Sequence, residues 1–221
     1  PNKNSYTITV KHGTAEYGPN DQHQAGTPIN PADPNGAKWP AKDTYSKSYT
    51  ATVHFTDPNG NKIADDNVQT SNWTRTVKVD KVTGQVLNPD AAWTSDIKSY
   101  QDIKAPVVDG YYATQKTIAG QPAVQQNIEN TVEYHKFGRV IPVDANGKPI
   151  TGATTPTYRN DPNDPTKALS PQLPTIPGYT ATTDQATPTN PGTDTYVTYT
   201  KNTDNAGNSK GSNGNGGSTD N

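Results

Sequence analysis

One block of sequence is written twice, and it limits the fold more than any other feature. Residues Tyr49, Ala51, Val53 and Phe55 alternate with polar residues and lead into "TDPNGNKI" (Thr56 to Ile63). Later, Ile141 and Val143 share one phase and lead into "VDANGKPI" (Val143 to Ile150). Asn-Gly between alternating segments signals a hairpin, because both turn residues tolerate positive φ. The echo continues downstream. "APVVDGYYATQ" (Ala105 to Gln115) matches "LPTIPGYTATT" (Leu173 to Thr183), and "NTVEYHK" (Asn130 to Lys136) matches "TYVTYTK" (Thr195 to Lys201). Hairpin, Gly-Tyr and closing strand thus recur in one order, which predicts two related small β modules in tandem. Gly60 lies further from Gly110 than Gly147 does from Gly178, so the first copy carries an insertion. In that insertion "NWTRTVKVDKVTGQVLN" puts Trp73, Val77 and Val79 on one face around a Thr83-Gly84 turn. The stretch after Asn88-Pro89, with Trp93, Ile97 and Tyr100, reads as irregular and then strand.

The flanks differ from the repeat. "SYTITVKH" (Ser5 to His12) alternates Tyr6, Ile8 and Val10 with polar residues and predicts a half-buried strand that completes a sheet elsewhere. "GTPINPADPNGAKWPA" (Gly26 to Ala41) is dense in proline and predicts an extended, semi-rigid linker. "NTDNAGNSKGSNGNGGSTDN" (Asn202 to Asn221) buries nothing that could offset its ordering entropy and reads as a flexible tail. The expected organisation is a strand and linker over 1–45, a first β module over 46–137, a smaller one over 138–201, and a disordered linker over 202–221. Only 29% of the 221 residues are hydrophobic, so each core must be thin. With no methionine even at position 1, the sequence reads as a piece of a longer chain.

Chemistry is sparse. The absence of cysteine excludes disulfides, thiolate catalysis and thiolate metal sites. A net charge of −2 gives no reason to expect nucleic acid, and no apolar run reaches membrane-span length. His12, His23, His54 and His135 fall on separate elements, with His54 and His135 on the polar phases of their strands. No nucleophile elbow, phosphate loop or zinc spacing occurs, and Asp65-Asp66 reads as turn, so no enzyme is expected. Asn160, Asp161, Asn163 and Asp164 cluster hard oxygen donors and are the candidate calcium ligands. Against that, Asx-Pro pairs form turns without metal. Among aromatics, Tyr112, Tyr158 and Trp39 are the candidates for stacking on a sugar ring. Tyr112 is a candidate because one of the adjacent Tyr111 and Tyr112 must face outward in a strand; for Trp39, set among prolines, pinning the linker to a module is the favoured alternative.

Taken in order, "GTPINPADPNGAKWPA", "TRTVKVDKVTGQV", "APVVDGY", "GRVIPVDANGKPI", "TYRNDPNDPTKA" and "LPTIPGY" resemble the mucus-binding (Mub, MucBP) repeats of cell-surface adhesins from lactic-acid bacteria. The resemblance runs from about Lys11 to Lys201. It implies a mainly β, tandem ubiquitin-like β-grasp architecture in a wall-anchored extracellular protein. It also implies binding to mucin glycoproteins, with immunoglobulins as further partners of some members. Without a pocket or charged groove in the sequence, glycan contact is expected to be weak and made useful by repetition through polar linkers; apart from the calcium candidates no cofactor is expected. The family's N-terminal β-grasp domain is reduced here to what reads as its last strand, Tyr6 to His12. "LPTIPG" lacks the features of a sortase signal and is a loop. Composition alone fits a passive spacer equally well.

Overall fold

A computed structural model describes residues 3–203. They fall into two compact units, one of residues 3–106 with Gln115–Tyr134, the other of Val107–Thr114 with 135–203. The only helix among them is a 3-10 turn at Lys42–Thr44, so the fold is mainly β as the sequence implies. The predicted tail lies outside the described residues from position 204 onward.

The strands up to the end of the first repeat are β1 (Thr14–Tyr17), β2 (Ser46–Thr56), β3 (Lys62–Thr74), β4 (Val77–Asp80), β5 (Thr94–Ser95), β6 (Ile103–Lys104), β7 (Tyr111–Ala113), β8 (Thr117–Ile118) and β9 (Ile128–Lys136). The main sheet runs β5-β3-β2-β9-β7, with β2 and β3 antiparallel and β2 and β9 parallel. β7 belongs to the second unit, together with the last two residues of β9. Val53 and Phe55 are buried with Val132 and Tyr134, as the alternation of β2 and β9 dictates. β1 and β4 form a separate antiparallel ribbon, and β6 and β8 another.

The second unit adds β10 (Val140–Val143), β11 (Arg159–Asp161), β12 (Asp164–Leu169), β13 (Tyr179–Ala181) and β14 (Thr195–Lys201). Its sheet runs β10-β14-β13, with β10 and β14 parallel and β13 and β14 antiparallel. The order β2-β9-β7 in the first copy is the order β10-β14-β13 in the second. Phe137, Val140, Tyr158, Ile176, Ala186, Val197 and Tyr199 make its core.

The repetition extends to single bonds. Tyr134 Oη donates to Pro106 O and Tyr199 Oη to Pro174 O, each at 2.7 Å. Tyr111 N donates to Val108 O (3.1 Å) and Tyr179 N to Ile176 O (3.0 Å). Phe137 N reaches Gly110 O at 3.2 Å, and Asn202 N reaches Gly178 O at 2.8 Å. Gly110 and Gly178 hold φ of 82° and 81°, a conformation that costs a side chain dearly. The Gly-Tyr motif is therefore a turn whose glycine carbonyl is tied to the residue just past the closing strand.

Both Asn-Gly loops share a geometry that differs from the expected turn. Gly60 (φ 84°) and Gly147 (φ 78°) are left-handed, but no non-glycine residue among those described is, so the asparagines are not. The aspartate three residues before each glycine does the ordering. Asp57 Oδ1 accepts from Asn59 N and Asn61 N, and Asp144 Oδ1 accepts from Asn146 N and Lys148 N. An Asx turn followed by a left-handed glycine needs only one positive φ. The second hairpin is also cut short. Beyond its loop, pairing with β10 shrinks to a bridge between Val143 and Pro149, because proline cannot extend a ladder.

Other expectations are corrected. Tyr6, Ile8 and Val10 are 80% or more exposed and form no strand, since no described segment pairs with them. The stretch Gly26–Ala41 is a folded hairpin rather than a linker. Gly26 N donates to Trp39 O, Trp39 N to Thr27 O and Ile29 N to Ala37 O, each at 2.9 Å. The prolines sit at positions from which this ladder asks no donor. Ile29 and Trp39 join Tyr17, Tyr45, Val77 and Val79 in a buried cluster. Trp73 is not in that cluster; it stays half-buried on β3, where Nε1 donates to Ser71 Oγ at 2.9 Å. The Thr83-Gly84 turn is present, with Gly84 at φ 76°.

Candidate functional site

The sequence candidates disperse. Trp39 is 6% exposed, lying between the Tyr17 ring (centroids 5.2 Å apart) and the His23 ring (3.9 Å). Tyr158 is 3% exposed, and its hydroxyl is bonded to Thr193 O (2.5 Å) and Thr195 Oγ1 (2.6 Å). Neither offers a face to a sugar, which corrects both as stacking candidates, while the burial of Trp39 agrees with its reading as a pin onto a module. Tyr112 is half-buried in the second unit, stacked on Phe137 and His135 at 5.9 and 5.7 Å. The exposed aromatic of the second unit's sheet is instead Tyr196, at 62%. Its phase on β14, opposite Val197 and Tyr199, is the signal that would have found it.

The proposed calcium ligands serve the backbone. Asn160 Oδ1 accepts from Gly110 N at 2.9 Å, while Nδ2 donates to Val108 O (2.8 Å) and Tyr111 O (3.0 Å). Asp161 Oδ1 accepts from Asn163 N, and Asp164 Oδ1 from Thr166 N and Oγ1. Calcium needs six to eight converging oxygens. Here one asparagine is wholly occupied and both carboxylates hold Asx turns, so the set does not fit that ion.

His54 has charged company that the sequence reading missed. The register of β2 and β3 shifts between Val53 and Phe55, so Asp65 and Asp66 together face His54. This bulge places Asp66 in the strand rather than in a turn, with Oδ1 3.0 Å from His54 Nδ1; Glu129 Oε1 lies 3.6 Å from Nε2. The hydrogen bond to Asp66, then the charges of Asp66 and Glu129, raise the His54 pKa above its usual 6.5 despite partial burial. A raised folded-state pKa gives stability that is fully present below 6.5 and lost as pH rises through the folded value. The urea midpoint of the wild type is therefore expected to fall from pH 6 toward pH 9, and that of His54→Asn to fall less. Parallel profiles for the two proteins would remove His54 as the cause.

Three concavities lie in the second unit. A cleft of about 500 Å³ is framed by the Asn-Gly loop (Asp144, Lys148) and the Gly-Tyr loop (Ile176, Pro177, Tyr179), with Thr151 and Thr154 along it. Its volume lies within the range of ligand sites, roughly 300–1,000 Å³. A cavity of about 300 Å³ shares Thr175, Ile176 and Tyr179 with it. A third, of about 410 Å³, shares Leu173 and Asp184 with the second. The first unit holds a void of about 20 Å³ beside β6 and β8, room for a water and no more.

Residues 40–138 match the family described as the Muc B2-like domain. That match covers 99 of the 221 residues, a little under half of the chain. The match spans β2 to β9 and so contains the first copy of the repeat with its insertion. Among solved structures, the chain is similar to Mub-RV at 22% identity, covering 57% of this chain and 60% of that one, with a TM-score of 0.41. It is similar to the type 2 repeat of the mucus binding protein MUB from Lactobacillus reuteri at 26% identity, over 57% of this chain and 59% of that one, with a TM-score of 0.37. It is also similar to the MucBP domain of the adhesion protein from Pediococcus pentosaceus at 25% identity, over 41% of this chain and 98% of that one, with a TM-score of 0.36. The chain thus spans about 60% of the Mub-RV structure. No curated protein matches it.

Beside the Muc B2-like match, the open side of β3 bears on how partners could reach the sheet. Trp73 and Thr74 pair with β5, Asn72 bonds to Asp96 and Gln69 to Gln101, and the far end of the strand carries Lys62, Asp65 and Asp66. Charges of this kind oppose the addition of a foreign strand.

Proposed function

We propose that this chain is an adhesion module of an extracellular surface protein, binding mucin glycoproteins weakly and multivalently through their glycans. The observation that carries this reading is the Muc B2-like match over residues 40–138. The shape of the second unit is consistent with it: its concavities are open and shallow, suited to brief contact rather than tight enclosure. Shallow contacts of this kind hold a ligand near the millimolar range, about 4 kcal/mol. Adhesion then comes from repetition, since tethered copies raise avidity by roughly 10²–10⁴ without new contacts.

The test compares retention on immobilised mucin of the single chain with that of a concatenated form of several copies, before and after enzymatic removal of glycans. Faint binding by one copy, strong binding by several and loss on deglycosylation are expected. Tight binding by one copy, or concatenation without gain, overturns the multivalent mechanism. Retention on immobilised immunoglobulin but not on mucin would replace the partner.

A further inference from the structure

The segment "SPQLPTIP" (Ser170 to Pro177) spaces its prolines by three, at 171, 174 and 177. Three residues per turn is the period of an extended left-handed chain, which puts every third side chain on one edge. Burial follows that period. Ile176 is buried and Leu173 half-buried, both packed in the second unit's core, whereas Gln172 and Thr175 are exposed. The segment is moored beneath by Tyr199 Oη on Pro174 O and by Arg159 Nε on Ser170 O (2.8 Å). Its outer edge is therefore a fixed rail with polar groups at regular intervals.

The three concavities described above open along this rail. Thr175 lines the first and second, Leu173 the second and third, and Gln172 the third. Among the described residues, no hydrogen bond engages the side chains of Thr151, Thr154, Gln172 or Thr175. Charge does not select an ion here. Lys148 is offset by Asp144 in the first cleft, and Arg159 by Asp184 in the third. Apolar patches beside unengaged hydroxyl and amide groups are what a pyranose ring presents in mirror image: C–H faces with hydroxyl rims.

We propose that the trough along Ser170–Pro177 binds a neutral linear oligosaccharide, with successive sugar rings in the three concavities, Thr175 at the junction of the first two and Leu173 at that of the second and third. At the rise of about 3.1 Å per residue of such a chain, eight residues span about 25 Å, longer than two sugar rings, so the ligand is longer than a disaccharide. In the first copy the counterparts of the framing loops, Asn59-Gly60 and Gly110-Tyr111, fall in different compact units. The inference rests on the adhesion reading for its ligand class but concerns the second unit alone.

The experiment is an amide-resolved NMR titration of the whole chain with a neutral linear tetrasaccharide of alternating galactose and N-acetylglucosamine. The disaccharide and a sialylated tetrasaccharide serve as separate arms. Shifts at 151–154 and 172–180, and at least fivefold tighter binding of the tetrasaccharide than of the disaccharide, are expected. Thr175→Trp, at an exposed position, should weaken binding at least tenfold; Gln172→Ala with Thr175→Ala, which leaves the backbone spectrum in place, should weaken it several-fold. Shifts that map elsewhere, or variants that bind as wild type, overturn the site. Tighter binding of the sialylated form overturns the neutral class. Mucin retention by wild type without trough shifts sinks this inference and leaves the adhesion reading standing. Trough shifts without mucin retention do the reverse.

Discussion

Replacing Trp39 by alanine is expected to destabilise the first unit by about 3–5 kcal/mol, the cost of removing a large aromatic from a packed core. The indole is 6% exposed and lies between the rings of Tyr17 and His23, within a cluster of only six buried residues. A cluster that small has few neighbours able to collapse into the void. Trp39 also closes the hairpin, donating to Thr27 O and accepting from Gly26 N, and without its ring the proline-rich arm loses its main reason to fold back. Against a whole-domain stability of roughly 5–15 kcal/mol, such a loss is a large fraction. A tryptophan on an exposed linker would cost within about 0.5 kcal/mol. Urea unfolding followed by circular dichroism separates the two outcomes. Trp39→Phe should recover part of the loss, because it keeps a stacking ring. A loss below about 1 kcal/mol for the alanine variant would return Gly26–Ala41 to the status of linker.

That segment shows where sequence reading succeeds and where it stops. Alternation placed Val53, Phe55, Val132 and Tyr134 inside correctly, because a strand's period of two is local and each side chain carries it. The same rule failed for Tyr6, Ile8 and Val10, because a strand also needs a partner, and pairing is not a local property. Proline density suggested a linker over Gly26–Ala41, yet what matters is which N–H groups the ladder uses, and those belong to Gly26, Ile29 and Trp39. In the Asn-Gly loops the conspicuous dipeptide drew attention away from the aspartate that orders it. The Gly-Tyr echo was legible as a repeat. Its reason, a tyrosine hydroxyl from the closing strand reaching a proline carbonyl, required the fold. Burial pushes the Tyr134 hydroxyl up to about 12, which fits a phenol held as a donor.

The candidate site was less legible, for a related reason. Residue type alone nominates Trp39 and Tyr158 for sugar contact, but type does not report direction. Trp39 and Tyr158 turned inward, and Tyr196, in a strand already recognised, turned outward. Nor could the concavities be read beforehand. The first arises because a hairpin loop and a Gly-Tyr loop, distant in sequence, flank one proline rail; the other two lie along the same rail between it and residues near Asp184.

Residue type alone also nominates Asn160 as a metal ligand, and the structure gives it a different task with a measurable consequence. Its amide makes three bonds to the Gly-Tyr turn of the first copy, one from Gly110 N and two to the carbonyls of Val108 and Tyr111. At a net worth of about 1 kcal/mol for each, Asn160→Ala should cost about 2–3 kcal/mol and leave partly buried backbone groups unpaired. Hydrogen exchange should localise the loss, with the amides of Gly110 and its neighbours exchanging faster while the β10-β14 pairing stays protected. Asn160→Asp sharpens the test. It keeps the acceptor for Gly110 N but turns a carboxylate toward two carbonyls, so near pH 7 it should be at least as damaging as alanine. Acid should then restore part of its stability, because a protonated carboxyl regains one donor. A calcium cage makes the opposite forecast. There aspartate would be tolerated, a chelator would lower the wild-type melting temperature, and Asp161→Ala would abolish that sensitivity. A wild type indifferent to chelator, with both Asn160 variants destabilised, identifies the residue as the clamp on the turn. Chelator sensitivity combined with a stable Asn160→Asp would return the cluster to metal binding.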